Sequence, residues 1–267
     1  MSVLICPICG ASLKEDGKSL LCPKNHRYDV SKEGYVNLLP PAHGQHGDNK
    51  LMINARRHFL EGGYYADLRE AVSAKIRENA KADCTLLDVG CGEGYYTEKM
   101  ASAVFAKGGA LYGFDISRDA VRLAAKRGCG CFFVGSAYKM PIESESVDLL
   151  TLLFSPFCRE EILRVLKKDG IFLMVIPGAK HLYGLKSVLY DTPYLNQVQD
   201  TKIDGFALVE QVHIEKEITV LGKEDIEALF SMTPYYYKTS PRDKEKLSSL
   251  SALSTQTEFE LLLYKKI

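Results

Sequence analysis

No apolar run in this sequence approaches the roughly 18 residues needed to cross a bilayer. The first residues also lack the charged-then-apolar order of a signal peptide. A cytoplasmic protein with no membrane partner is therefore expected. Net charge is absent as well, with 34 Lys/Arg against 34 Asp/Glu, which excludes a nucleic-acid binder that is basic along its whole length. The balance is local, because residues 1–60 carry eight Lys/Arg against five Asp/Glu and the remainder is slightly acidic. Internal repeats and low-complexity tracts are missing too. What remains is a chain of 267 residues, 46% hydrophobic, long enough for one larger domain with a sizeable core and a small appendage. Its eight cysteines, in a reducing compartment, read as metal ligands where they are closely paired.

The chain is organised around Leu86-Leu87-Asp88-Val89-Gly90-Cys91-Gly92-Glu93-Gly94. An apolar run ends in an acid and then in alternating glycines, which predicts a buried strand, a tight turn and a helix. Glycine lets the backbone approach a ligand closely, and the helix offers unpaired N–H groups at its positive end. A dinucleotide fingerprint also places an acid about 20 residues later, and Asp115 supplies one. The spacing is G-x-G-x-G, however, with Tyr95 where the third fingerprint glycine would stand. The string D-x-G-x-G-x-G resembles the first motif of class I S-adenosylmethionine-dependent methyltransferases. That resemblance implies a turn around the amino-acid end of the cofactor, with Asp115 holding the ribose hydroxyls.

Nearer the N-terminus, Cys6, Cys9, Cys22 and His26 form C-x2-C-x12-C-x3-H. Two close pairs of soft or borderline ligands match tetrahedral zinc, and a closed four-ligand set is structural. So short a segment has too little core to fold alone, and metal binding would supply much of its stability. Asp16-Gly17 predicts a hairpin turn between the pairs. Aromatic residues then stand among Lys24, Arg27 and Lys32, which fits either an RNA-stacking surface or the module's own core and rim. Pro40 to Lys50 reads as a polar linker in which His43 and His46 lack the partners of a second metal site.

Leu51–Leu60 has helical spacing, with Met52, Ala55, Phe59 and Leu60 on one face and Arg56 and Arg57 exposed. The set formed by the zinc motif, Lys32–Pro40 (KEGYVNLLP), Ala55–Tyr65 (ARRHFLEGGYY) and DVGCGEGYYT closely resembles the bacterial 23S ribosomal RNA guanine-N1-methyltransferases. The resemblance runs from Cys6 to about Leu189. It implies zinc on Cys6, Cys9, Cys22 and His26, S-adenosylmethionine against Tyr65, Gly92, Glu93 and His181, and a zinc module that helps recognise a hairpin of 23S ribosomal RNA.

Beyond the turn, helix at Tyr95–Phe105, strand at Ala110–Asp115, helix at Asp119–Arg127 and strand at Cys131–Val134 alternate. Ser136 and Ala137 follow the third strand, where methyltransferases meet the adenine edge. Val147 begins a fourth strand that runs into Phe154-Ser155-Pro156-Phe157, in the location but not the sequence of the N-P-P-Y motif of amino-methylating enzymes. The substrate base is expected there, with Arg56 and Arg57 as RNA contacts. A helix over Cys158–Lys168, a fifth strand at Ile171–Ile176, a helix opened by Pro177–Leu182, a strand near Phe206–Val220, a helix from Lys223 to Met232 and a strand near Glu258–Tyr264 complete the fold. Pro234–Lys238 either lines the RNA entrance or connects elements.

The expected architecture is α/β: a class I methyltransferase (Rossmann-like) sheet, seven-stranded and mostly parallel, with helices on both faces and a small N-terminal zinc-binding β module. Expected divisions are 1–40, the zinc module; 41–65, linker and connecting helix; and 66–267, the methyltransferase domain. The cofactors are S-adenosylmethionine, held by Tyr65, Asp88, Gly90, Gly92, Glu93, Gly94, Asp115, Ser136, Ala137 and His181, and one structural zinc. No residue declares itself as the base for guanine N1, and the sequence leaves a homodimer open. A methyltransferase of a small molecule, or a zinc-stabilised RNA-binding protein without activity, are the competing readings.

Overall fold

The structure is a computed structural model and describes residues 3–40, 47–198 and 200–267. His43, His46 and most of the linker lie outside the described residues. The N-terminal module begins with a turn closed from Gly10 N–H to the Cys6 carbonyl at 2.8 Å. Strand β1 (Lys14–Asp16) and β2 (Ser19–Leu21) form the hairpin expected at Asp16-Gly17, and β3 (Arg27–Asp29) pairs antiparallel with β2. Its aromatic side chains are used internally. The Tyr28 hydroxyl reaches the Cys6 sulfur, and buried Tyr35 accepts a bond from Arg118 Nε at 2.9 Å.

Two helices follow, α1 (Lys50–Glu61) and α2 (Ala66–Asn79). Asn49 caps α1 by accepting the Met52 N–H, and Gly62-Gly63 end it. The alternating part runs β5 (Thr85–Val89), α3 (Tyr95–Phe105), β6 (Ala110–Asp115), α4 (Arg118–Lys126), β7 (Cys131–Val134), β8 (Val147–Leu153), α5 (Arg159–Val165) and β9 (Leu166–Pro177). Then come α6 (Tyr183–Leu189), β10 (Phe206–Leu221), α7 (Lys223–Ser231), α8 (Tyr235–Lys238), α9 (Pro241–Ser248) and β11 (Ala252–Lys266). Two expectations are corrected: the helix at Cys158 stops at Val165, and the last strand is 15 residues long. Pro241–Ser248, to which no element was assigned from the sequence, is helical, started by Ser240, whose side chain accepts the Asp243 N–H.

The large sheet has the order β10-β11-β9-β8-β5-β6-β7-β4, where β4 is Val36–Asn37 of the N-terminal module. Pairings are parallel except those of β11 with β9 and β10. Seven strands belong to the expected fold, and the eighth arrives when β4 pairs parallel with β7. Leu4 also bridges to Ile142, and Val3 accepts the Glu143 N–H. From β5 to β9 both sheet faces are covered, so those strands read as continuous apolar runs and not as alternations. Leu86, Leu111 and Leu149 pack with α2 and α3 on one face. On the other, Leu87, Phe114 and Leu150 pack with Ile162 and Val165 of α5 and with Val3, Leu4, Val36 and Leu38 of the module. Burying such an aliphatic side chain contributes about 1.5–3 kcal/mol, so the module is part of the large sheet's core. The chain turns from β5 outward to β6 and β7, then returns to β8 on the other side. That reversal opens a crevice at the carboxyl ends of the strands.

Candidate active site and metal centre

Cys6, Cys9, Cys22 and His26 come together with all their ligand atoms within 4.8 Å of one another. Cys9 and Cys22 sulfurs are 3.7 Å apart, and His26 Nδ1 lies 3.4 Å from the sulfurs of both Cys6 and Cys22. A tetrahedron with Zn–S near 2.3 Å and Zn–N near 2.0 Å has edges of about 3.5–3.8 Å. The residues therefore fit one structural zinc ion. Tyr28 OH stands 3.1 Å from the Cys6 sulfur, and the His26 N–H donates to the Cys22 sulfur at 3.3 Å. Both donors favour thiolates and orient the ligands.

At the crevice, Gly90, Gly92 and Gly94 have φ of +71°, +55° and +87°. Gly90 also has no room for a side chain, and Gly94 little. A Cβ on Gly90 would lie 2.0 Å from Ser155 Oγ, and one on Gly94 would lie 3.1 Å from the Ala124 backbone. Gly92 differs, because a Cβ there would meet nothing within 4 Å and the residue lines the cavity. Asp115 ends β6 and accepts Gly92 N–H at 3.2 Å on Oδ2 and Ser117 N–H at 2.8 Å on Oδ1. Burial raises its pKa, against those two amide bonds. Each oxygen keeps an acceptor site, as a pair of ribose hydroxyls requires.

Glu93 is 3% exposed. Its Oε2 is 2.5 Å from Arg127 Nη2, while Oε1 is buried without a hydrogen-bond partner among the described residues. Arg127 also donates to the Glu93 carbonyl, Glu98 and Glu61, each at 2.9 Å. It thus ties the turn to α1 and α3. The sequence reading missed Arg127, which stands just past α4 without any motif of its own. Asp88 lines the cavity, but its carboxylate is engaged on both oxygens, by Thr97 Oγ1 on one and Thr151 Oγ1 on the other. Burial pushes its pKa up to about 6 despite both hydroxyls. The geometry gives Asp88 the work of joining β5 to α3 and β8.

Tyr65 and His181 form the opposite wall. Buried Tyr65 packs edge-on against Phe59 at 5.2 Å and Phe259 at 5.0 Å, and its hydroxyl lies 3.3 Å from His181 Nε2. His181 Nδ1 accepts the Glu258 N–H at 3.3 Å. Burial, with the nearby Lys186 charge, lowers the His181 pKa to about 3, so the ring is neutral. With Nδ1 accepting, the proton sits on Nε2 and is donated to the Tyr65 oxygen. The Tyr65 hydrogen is then free for a ligand. Asn196 fixes the turn before His181 by donating to the carbonyls of Gly178 at 2.8 Å and His181 at 3.3 Å.

The remaining expectations divide. Ser136 and Ala137 line the cavity with half-exposed Phe154, Ser155 and Pro156. Phe154 holds φ +56°, a left-handed conformation rare for a phenylalanine and common at functional turns. Phe157 instead stacks on Phe172 at 6.1 Å and is not part of the cavity wall. Arg56 was expected to be exposed, yet it lines the cavity and pairs with Asp48. Arg57 is exposed outside it, 3.4 Å from Glu61. The helical period had placed both on the exposed face; in the structure α1 turns Arg56 inward beside Met52 and Leu60.

All these groups enclose about 750 Å³, a size suited to a nucleoside-bearing cofactor together with a base. Two buried polar atoms without partners among the described residues, Glu93 Oε1 and Tyr96 OH, belong to residues of this cavity. With the Asp115 acceptors and the open face of Gly92, they fit S-adenosylmethionine, which carries hydroxyl and ammonium donors. No helix among the described residues is long and apolar enough to cross a membrane.

Comparison with known proteins agrees with this geometry. A family described as "RlmA, N-terminal" matches residues 4–46, and one described as "Methyltransferase domain" matches residues 80–221. A Streptomyces fradiae protein named 23S rRNA (guanine(748)-N(1))-methyltransferase is 32% identical over 217 residues, covering 79% of this chain and 75% of that protein. A Micromonospora griseorubida protein provisionally named 23S rRNA (guanine-N(1)-)-methyltransferase is 30% identical over 280 residues, covering 95% of this chain and 94% of its own length. A solved Anaeromyxobacter dehalogenans structure, provisionally called a type II methyltransferase, superposes with a TM-score of 0.50 at 17% identity, covering 72% of this chain and 94% of that one. This last likeness concerns the fold alone.

Proposed function

The chain belongs to the 23S ribosomal RNA (guanine-N1)-methyltransferases, and on that premise we propose how its residues carry out the transfer and which part of the RNA they accept. The reaction moves a methyl group from S-adenosylmethionine to N1 of a guanine. When bound, the cofactor supplies an electrophilic methyl on a sulfonium, so the chain's own work is to hold donor and acceptor in line. Asp115 accepts the ribose hydroxyls, and Ser136 and Ala137 border the adenine. The Gly90–Gly94 turn and Glu93 take the amino-acid end, with the free Tyr65 hydrogen donated to its carboxylate. His181 serves Tyr65 by holding its oxygen.

The observation that carries the substrate assignment is the placement of Phe154. It is 49% exposed, strained into the cavity mouth at the end of β8, and offers a ring face to a base. Guanine N1 is paired in a duplex, so the accepted nucleotide is unpaired or flipped from a hairpin loop. The zinc module contributes RNA contacts, and the reaction takes place in the cytoplasm. A homodimer would use the outer edge of β10, a 16-residue strand at the margin of the sheet with Leu208 and Val209 exposed.

Labelled methyl transfer to unmodified large-subunit RNA, followed by nucleoside mass spectrometry and primer extension, tests this reading. N1-methylguanosine at one loop position is the expected product. Phe154→Ala should lower turnover at least tenfold while leaving cofactor affinity within about twofold, since stacking on one aromatic contributes about 1–3 kcal/mol. No RNA methylation by zinc-loaded, cofactor-binding protein would overturn it.

A further inference from the structure

Lys186 of α6 is fully buried, at 0% exposure, and among the described residues no carboxylate lies within ion-pair distance of it. Its ammonium donates to Asn196 Oδ1 at 2.6 Å and to the Tyr194 carbonyl at 3.1 Å. It lies 4.5 Å from the centre of the Tyr194 ring and 5.5 Å from that of Tyr235. Carbonyl dipoles and ring faces solvate a cation without cancelling its charge. An uncancelled buried charge is costly, and burial lowers the lysine pKa with no acid opposing it. Asn196 and Tyr235 both line the cavity; Asn196 bonds the His181 carbonyl, and the His181 and Phe154 rings both pack on Phe259. Lys186 therefore stands one side chain behind the acceptor wall.

Among the described residues, that wall has no base. Of the cavity's carboxylates, Asp88 and Glu93 belong to the stretch 88–94, Asp115 accepts the Gly92 N–H, and Asp48 pairs with Arg56. Thr233 donates to the Phe230 carbonyl, the Asn196 amide hydrogens go to two carbonyls, and His181 is neutral with both nitrogens engaged. Guanine must nevertheless lose its N1 proton, and the anion left behind spreads over N1 and O6. We propose that Lys186 is a positioning residue for this reaction: its buried charge favours the N1-deprotonated guanine at the acceptor wall, and its bond to Asn196 holds that wall in place. The N1–H bond breaks with its proton passing to solvent water. The N1 electron pair then forms the bond to the methyl carbon as the carbon–sulfur pair returns to sulfur.

Among the described residues, few charged or titratable groups face Lys186. They are neutral His181 before α6, Tyr190 and Tyr194 in the following segment, Tyr235 of α8, Lys246 of α9, paired with Asp191 and Asp243, and Glu258 of β11, which accepts the Lys180 N–H. None neutralises it.

The inference rests on the guanine-N1 reading above, and a product other than N1-methylguanosine would sink that reading first. Given that product, Lys186→Gln removes the charge while keeping an N–H for Asn196, and Lys186→Arg keeps the charge. Single-turnover methyl transfer with saturating RNA from pH 6 to 9 should show the glutamine variant about tenfold or more slower at pH 7. Its deficit should close as pH rises, and the arginine variant should follow the wild-type profile. Calorimetric binding of the RNA hairpin to protein loaded with S-adenosylhomocysteine, in buffers of different ionisation enthalpy, should show proton release that the glutamine variant loses. An equal slowing of the glutamine variant at every pH, or unchanged proton release, would overturn the proposal. Should that variant not fold, wild-type protein decides alone. Equal proton release for a hairpin with guanine and one with adenine at the target would overturn the proposal as well.

Discussion

Gly90 and Gly92 lie two residues apart, share a left-handed backbone and should fail differently when replaced. Gly90→Ala drives its Cβ into Ser155, so we expect about 2–4 kcal/mol lost from folding stability in urea titrations. Gly92→Ala should cost only about 1 kcal/mol for the backbone conformation, yet weaken S-adenosylmethionine binding at least tenfold, because the new methyl group enters the cavity. Asp88 gives a pH signature. Its folded pKa, about 6, lies above the ordinary carboxylate value, so the folded state holds the proton more tightly than the unfolded chain. Stability from this group is therefore greater below pH 6 and is lost as pH rises through 6. Between pH 5 and 7 the change is on the order of 1 kcal/mol. Urea titrations comparing wild type with Asp88→Asn should show that slope in the former alone. At this scale the sequence was most readable at the glycines, because left-handed turns select glycine directly. It could not separate Asp88 from Asp115, since both are acids at strand ends and only their neighbours distinguish them.

Elements are held to one another by single side chains whose roles the sequence does not announce. Arg127 joins α1, α3 and the Gly90–Gly94 turn through Glu61, Glu98 and Glu93. Its side chain is 14% exposed and that of Glu93 is 2% exposed. Removing the cation in Arg127→Met leaves Glu93 buried and unpaired, a change that typically costs about 3–5 kcal/mol. The expected result is a large fall in urea midpoint that Glu93→Gln, placed in the same background, partly restores. Helix and strand positions from Tyr95 to Val134 followed from periodicity because both faces of that region are packed. Farther on, the period is less informative. β10 is long, exposed on one face and polar, and α9 is set by a cap and a proline more than by apolar spacing.

For the whole molecule, the zinc module and the methyltransferase domain should unfold as one. β4 extends the sheet, and Val3, Leu4, Val36 and Leu38 lie in a core shared with Phe114 and Phe133. Removing the metal therefore withdraws cover from the sheet itself. Cys22→Ser, or chelation, should release one zinc per chain and lower the midpoint of thermal unfolding by several degrees in far-ultraviolet dichroism, with the released metal following the same transition. A module unfolding on its own, with the domain's transition unchanged, would contradict this.

The sequence by itself determined the grouping of Cys6, Cys9, Cys22 and His26, the glycine turn and the class of sheet, because each depends on local spacing: four side chains in two close pairs, glycines where φ is positive, an acid at a strand end, and apolar runs where two faces are buried. Tertiary structure alone decided what those pieces touch. It turned Phe154 into the cavity and Phe157 away, drew Arg56 inward, made His181 neutral by burying it against Glu258, and placed the uncompensated charge of Lys186 behind Asn196 and Tyr235. Burial, tautomer and field are properties of neighbours distant in the chain, and no spacing in the sequence encodes them.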